Sequence, residues 1–303
     1  MTILAAFILA ALASPTGQEP AGQSSPAPTP LASPSPSPDL KTLIAEADAH
    51  FAQRSAGAVN DVADKREIDA SIDLYRKAVA IAPDDIELLA KLMRAMHFRG
   101  AYTGAAIEEK KAIFEEGRKL GQDAVDRLEA RAKAARGMSR IESLRLVNGT
   151  PSLYLWTAGH WGDWALVRGK FAAARSGIAG RLRDLAQTVI DLDPAFEDAA
   201  GYRILGRLHS EAPKIPFITG WVSRDKALQY LRRAYATGPR HPVTWYFLAG
   251  AILEHEPEKR EEAMRLLDLC ANTPPRPGTL LEDARYATLA RKQLDQLRST
   301  SAQ

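Results

Sequence analysis

The sequence predicts an all-α fold of helix pairs stacked side by side, and three observations carry that expectation. After residue 38, apolar residues recur at helical spacing and no stretch sustains period-two alternation. One pattern of small, large and small residues closed by a proline returns along the chain. The small residues of that pattern leave room for two antiparallel helices to approach closely.

Ahead of the helical part lie two segments of different character. Thr2–Ala13 (TILAAFILAALA) is an apolar run ending in Ala11-Leu12-Ala13, a pattern that suits a signal peptidase. The run is too short to span the roughly 30 Å of a bilayer as a helix. Residues 1–13 are therefore expected to be an export signal, which places the chain in the periplasm or outside the cell. Its start carries no Lys or Arg, and an uncleaved N-terminal anchor is the alternative. No cysteine follows the run, so a lipoprotein anchor is excluded at that position. Residues 14–38 hold eight prolines among Ser, Ala and Gly. Proline lacks a donor and fixes φ, so this segment reads as an extended, disordered spacer.

Residues 39–298 form the expected helical-repeat domain. LKTLIAEADAHF sets Leu40, Leu43, Ile44, Ala47 and Phe51 at helical spacing, with Asp39 as N-cap. A second helix carries Ile68, Ile72, Tyr75 and Val79 on one side. The closing pattern is Ala78 with Pro83, Ala234 with Pro239, Cys270 with Pro275 and, more loosely, Val189 with Pro194. Upstream, Ala227, Leu231 and Ala234 repeat as Ala263, Leu267 and Cys270. The preceding helices agree: Trp245, Leu248 and Ala249 match Tyr202, Leu205 and Gly206. These are the marks of the tetratricopeptide repeat. The chain resembles it over about 40–117 and 184–298, with well-formed units at about 199–239 and 242–275. The implied fold is a tetratricopeptide-like α-α superhelix, a helical-repeat solenoid with a degenerate middle segment. Residues 121–180 show helical texture without repeat register, Asn148-Gly149-Thr150-Pro151 marks a break, and HSEAPKIPFITGWVSRD inserts a loop between the helices of one unit.

A narrower resemblance rests on PSLYLWTAGHWGDW (Pro151–Trp164), DLDPAFEDAAGYRILG (Asp191–Gly206) and the proline-bearing loop Ala212–Gly220. Together with an expected export signal, these are similar to the T component family associated with TRAP transporters. That resemblance implies a superhelix with a central pore or cavity, in complex with a periplasmic solute-binding protein.

Composition narrows the function classes. Net charge is +3, with 40 basic and 37 acidic residues and no long basic run, which argues against a nucleic-acid partner. The single cysteine, Cys270, forms no internal disulfide, and no Cys/His spacing suggests a metal. No phosphate loop or nucleophile elbow is present, so neither an enzyme nor a cofactor is expected. All five tryptophans lie between 156 and 245, which suggests one aromatic-rich region. On a helix, Leu153, Trp156, His160, Trp164 and Val167 share a face, and Leu155 and Trp161 lie elsewhere. The candidate binding residues are Tyr154, Trp156, His160, Trp161 and Trp164 in this tract. Tyr202, Arg203, Trp221 and Trp245 join them from the repeats. They would line a concave surface that takes a protein partner and an apolar or amphipathic small ligand. Arg203, buried on a first helix, would grip a carboxylate through both guanidinium arms. Asp163 follows His160 by three residues and would touch it on a helix, a weak basis for catalysis. A structural scaffold without a ligand cavity is the alternative, and a homo-oligomer is compatible with either.

Overall fold

The computed structural model describes residues 39–169 and 177–301. The expected signal and spacer, 1–13 and 14–38, lie outside the described residues. Among the described residues the regular secondary structure is helix, apart from one isolated antiparallel bridge between Val59 and Val62.

Five helix pairs follow one another. The first is α1 (Leu40–Ala52) with α2 (Lys65–Ile81), and the second α3 (Ile86–Tyr102) with α4 (Ile107–Ala134). A one-turn helix, α5 (Arg140–Arg145), leads to the third pair, α6 (Thr150–Arg168) with α7 (Ile178–Leu192). The fourth is α8 (Phe196–Glu211) with α9 (Arg224–Thr237), and the fifth α10 (Pro242–His255) with α11 (Arg260–Asn272). Helix α12 (Leu280–Ser301) closes the chain. The paired helices pack on their neighbours in sequence, the short α5 packs on α4 and α7, and α6 also lies on both α3 and α4. The architecture is therefore a tetratricopeptide-like solenoid. The middle segment that lacks repeat register is a full part of it, supplying the overlong second helix α4 and the third pair.

Helix ends are set by local chemistry. Asp64 and Asp85 accept the Arg66 and Leu88 backbone N–H groups and start α2 and α3. Ser139 and Glu142 form a reciprocal capping box on α5. Asp39 stands at the expected N-cap of α1, but its side chain makes no capping bond. Gly149 begins α6 at φ 80°, and a Cβ there would lie 2.6 Å from the Glu87 backbone. Pro151 follows in the first turn of α6, where its missing N–H costs nothing.

The repeat pattern works through close approach. Ala78, Ala227, Leu231, Ala234, Ala263, Leu267 and Cys270 are all fully buried. A Cβ on Gly206 of α8 would meet Leu231 Cγ of α9 at 2.5 Å, and one on Gly201 would meet Ile190 Cγ1 of α7 at 2.7 Å. Burial pushes the Cys270 thiol up to about 12, so it serves as a small apolar residue.

First and second helices differ in burial. In α2, α7, α9 and α11 one stripe is buried. Helix α6 is buried on nearly every side from Leu153 to His160, as a helix enclosed by neighbours should be. The expectation of one inward face is corrected here. Leu155, assigned to the other side, is as buried as Leu153.

The last helix returns to the first pair. Arg54, just past α1, reaches Glu282 of α12 at 2.8 Å and the Gly278 carbonyl. Arg285 of α12 donates to the Asp61 carboxylate at 3.0 Å and to the Ala101 carbonyl at 2.8 Å. One continuous core joins Leu43, Tyr75 and Phe98 to Tyr246, Leu267 and Tyr286.

Two glycines of similar helical setting test the packing. Gly206→Ala should lower stability by about 1–3 kcal/mol through overpacking against Leu231. Gly250, whose added Cβ meets nothing within 4 Å, should tolerate alanine and gain up to about 1 kcal/mol. Urea denaturation of both variants reads the contrast.

Candidate functional site

The first helix of every pair, joined by α12, sends side chains to one inner seam. Phe51 at the end of α1 lies between two guanidinium groups, with Arg54 at 4.4 Å and Arg94 of α3 at 4.7 Å from its ring centre. Arg94 also faces the Trp156 ring of α6 at 6.0 Å, and Arg54 faces Phe98 at 5.1 Å. From α8, Arg207 lies 4.7 Å over Phe247 of α10, whose ring packs on Tyr286 of α12. Burial, and then the neighbouring Arg54, pull the Arg94 pKa down, while Glu197 and Glu282 oppose the shift. Two like charges sit close together here in a dry place, held by carboxylates from α8 and α12. Phe51, Arg94, His97, Phe98, Tyr102, Trp156 and Glu282 enclose a space of about 10 Å³. That is room for about one water.

A strained turn stands at the seam. Glu197, Asp198 and Ala199 have φ of 49°, 52° and 67°, left-handed values at non-glycine residues. Arg203, 1% exposed, holds this turn, donating to the Glu197 carbonyl at 2.8 Å and to the Asp198 carbonyl. The expected carboxylate grip is thus corrected: both arms take backbone oxygens. The reason is distance along the helix. The carbonyls five and six residues back are brought within reach only because the turn is left-handed. Burial lowers Arg203 to about 10, against the pull of Asp198 and Glu197, so it stays cationic at neutral pH. Asp198 is tied in turn to Arg276 at 3.4 Å.

The histidine pairing expected within α6 is also corrected. His160 Nε2 contacts the Met93 carbonyl at 2.9 Å, and Asp163 instead meets His97 of α3 at 2.8 Å. A carbonyl only accepts, so the His160 proton sits on Nε2. Burial, reinforced by His97, lowers the His160 pKa to about 3, and burial raises that of Asp163. The imidazole fits because α4 offers glycine beneath it: a Cβ on Gly117 would lie 2.3 Å from the ring, and Gly121 likewise clears Thr157. The four-residue spacing of Gly117 and Gly121 is a sequence signal for this contact that lies outside the repeat pattern.

The remaining candidate residues fall into separate groups, not one aromatic region. Tyr154 donates to Glu129 at 2.5 Å beside a groove of about 500 Å³ lined by Glu129, Lys133, Met138 and Arg140. Trp161 and Trp164 pack edge-on at 5.8 Å, and Arg118 lies over both rings, at 4.4 and 4.8 Å. Tyr202, Tyr230, His209 and Trp221 form a third group between α8, α9 and the inserted loop. Burial first, then Lys226 and Arg183, bring His209 down to about 4. Trp245, nearly buried, donates to the Pro239 carbonyl at 2.8 Å and locks the turn before α10. Of the nine candidates, Trp156 and Arg203 reach the seam. Sequence reasoning missed its other members, among them Phe51, Arg54, Arg94, Glu197, Arg207, Phe247 and Glu282. Among the described residues, no cluster of three or more His, Cys, Asp or Glu side chains is placed to hold a metal ion.

No family model matches the chain, and no curated protein matches it significantly. Solved structures that match include the TPR2AB-domain:pHSP90-complex of yeast Sti1, at 15% identity and a TM-score of 0.28, covering 87% of this chain and 98% of that one. Yeast Tom70 matches at 13% identity and a TM-score of 0.29, over 87% of this chain and 66% of that one. Superpositions this loose carry no weight, and the repeat assignment rests on the helix pairs themselves.

Two outcomes test the site. Ala199→Gly relieves a left-handed residue, whereas Ala200→Gly, equally buried but helical, only loosens α8. The first variant should be the more stable by about 2 kcal/mol in denaturant titrations. His160 titrates below the 6.5 of an unperturbed histidine. The unfolded chain therefore takes up a proton that the native chain refuses, and stability falls as pH drops from 6.5 toward 3. The slope is at most about 1.4 kcal/mol per pH unit. His160→Gln, whatever its stability at neutral pH, should show a shallower loss over that range.

Proposed function

We propose that the chain is a non-enzymatic scaffold that binds a protein partner along its inner seam. In this reading it is an exported T component of a TRAP-type solute transport system. Its partner is a periplasmic solute-binding protein, and its central cavity takes an apolar or amphipathic ligand. The supporting observation is the convergence of charged and aromatic side chains from every first helix onto one line, with Arg54, Arg94 and Trp156 at its centre. Inner surfaces of stacked helix pairs are where such folds bind. Aromatic and arginine anchors supply most of the energy in such contacts. The left-handed turn at Glu197–Ala199 adds stored strain at the same place.

A second reading, a scaffold for envelope assembly with no small ligand, is supported by one feature of the structure. The space beside Trp156 is about 10 Å³ in this closed arrangement. Native mass spectrometry of the purified chain separates the two. A retained lipid or apolar metabolite supports the transport role, and a bare chain supports the assembly role.

Calorimetric titration with a periplasmic solute-binding protein of a TRAP-type system tests the main reading. Trp156→Ala and Arg94→Ala should each weaken binding by about 2 kcal/mol or more, as anchors do. Unchanged affinity in both variants overturns it.

A further inference from the structure

The loop between α8 and α9 is not used by the seam, and its construction is unusual. Phe217 is 107% exposed, against 70% for Leu146, the next most exposed large apolar residue. Its φ is 62°, a value that bulky residues avoid. Ile218 beside it is also exposed, as is Pro216.

The loop nevertheless has a fixed frame. Thr219 is 1% exposed, and its hydroxyl accepts the Ile215 N–H at 2.8 Å and donates to the Pro213 carbonyl. Trp221 donates its indole N–H to the Ile218 carbonyl at 3.2 Å. Its ring stands edge-on to His209 at 5.3 Å and faces Arg183 at 4.8 Å. The Ser223 N–H donates to His209 Nδ1 at 3.1 Å. Strain is thus spent holding an apolar tip outward, where it gains nothing from the rest of the fold.

Charge completes the pattern. From Ala212 to Lys226 the chain carries three exposed cations, Lys214, Arg224 and Lys226, and one acid, Asp225. Arg183 adds a further cation at the base, partly offset by Asp184 at 3.1 Å.

We propose that this loop seats the protein peripherally on an anionic lipid surface. Phe217 and Ile218 enter the acyl boundary, Trp221 lies at the headgroup level, and Lys214, Arg224 and Lys226 meet lipid phosphates. A bilayer suits these features better than a protein pocket does. The tip is convex, and lipid receives a projecting ring without a matching cavity. Tryptophan, with a large apolar ring and one polar N–H, favours the membrane interface. Each base near an anionic leaflet adds attraction that salt removes. Among the described residues no helix is long and apolar enough to cross a membrane, so the contact is peripheral.

Co-sedimentation of the full chain with phosphatidylglycerol-rich and phosphatidylcholine vesicles tests this. The full chain should bind the anionic vesicles and weaken as salt rises. Phe217→Ser should lower partitioning about tenfold or more with an unchanged melting curve, since the ring touches no core. Lys214→Gln with Lys226→Gln should lower it about fivefold per charge, on anionic vesicles alone. Leu146→Ser, an exposed apolar residue elsewhere, should bind as the parent does. Comparing these variants removes any contribution of the apolar run at 2–13. Equal partitioning of the parent and Phe217→Ser overturns the proposal. So does binding indifferent to salt and to the lysine substitutions. Loss of a protein partner by Phe217→Ser, with no vesicle binding by the parent, overturns it in favour of a protein pocket.

Discussion

Close backbone approach between antiparallel helices is the constraint on which the rest of this structure depends. Where Gly206 faces Leu231 and Gly201 faces Ile190, no side-chain atom of the glycine intervenes. Dispersion contacts are short-ranged, so a gap of an ångström would forfeit much of the packing. The same device recurs across the third pair, where Gly117 and Gly121 let α6 sink onto α4. Helices this close leave the first helices of the inner pairs, α3, α6, α8 and α10, largely enclosed and second helices half exposed, whereas α1 at the end of the stack buries only Leu43 and Ala47. That asymmetry directs the inner side chains to a common line.

The seam shows how a dry interior carries charge. Arg54 meets Glu282 at 2.8 Å with both side chains almost wholly buried. Removing one partner of such a pair typically costs about 3–5 kcal/mol, because the other is left buried and uncompensated. Arg203 solves the same problem differently. Its charge is spread over two carbonyls that a right-handed turn would point elsewhere. Strain at Glu197–Ala199 and burial of Arg203 are therefore one arrangement, each making the other tolerable.

Much of the fold was legible because its determinants are local. Helical spacing, the proline after Ala78 and after Ala234, and the break at Asn148–Pro151 each act within a few residues. The structure places helix ends at or near all of them. The inserted loop at 212–223 was legible for the same reason. The seam was not, because its members come from α1, α3, α6, α8, α10 and α12, and no spacing rule links Arg54 to Glu282. Within α6, a pairing read from helical spacing gave way to longer-range contacts. Asp163 found His97, and His160 found a carbonyl on α3. A helix enclosed on all sides has no single face, so face assignment fails there on physical grounds. The left-handed turn had no clear signal either, since Glu and Ala on either side of Asp198 rarely adopt positive φ.

The return of α12 to the first pair has a thermodynamic consequence. A stack of repeats with two free ends behaves as a line of coupled units and can fray inward from either terminus. Here the outermost units shield one another, through Arg54 with Glu282 and Arg285 with Asp61. These ties couple the two termini, so loosening of one end weakens the other, and the first and last helices should exchange their amide hydrogens in step.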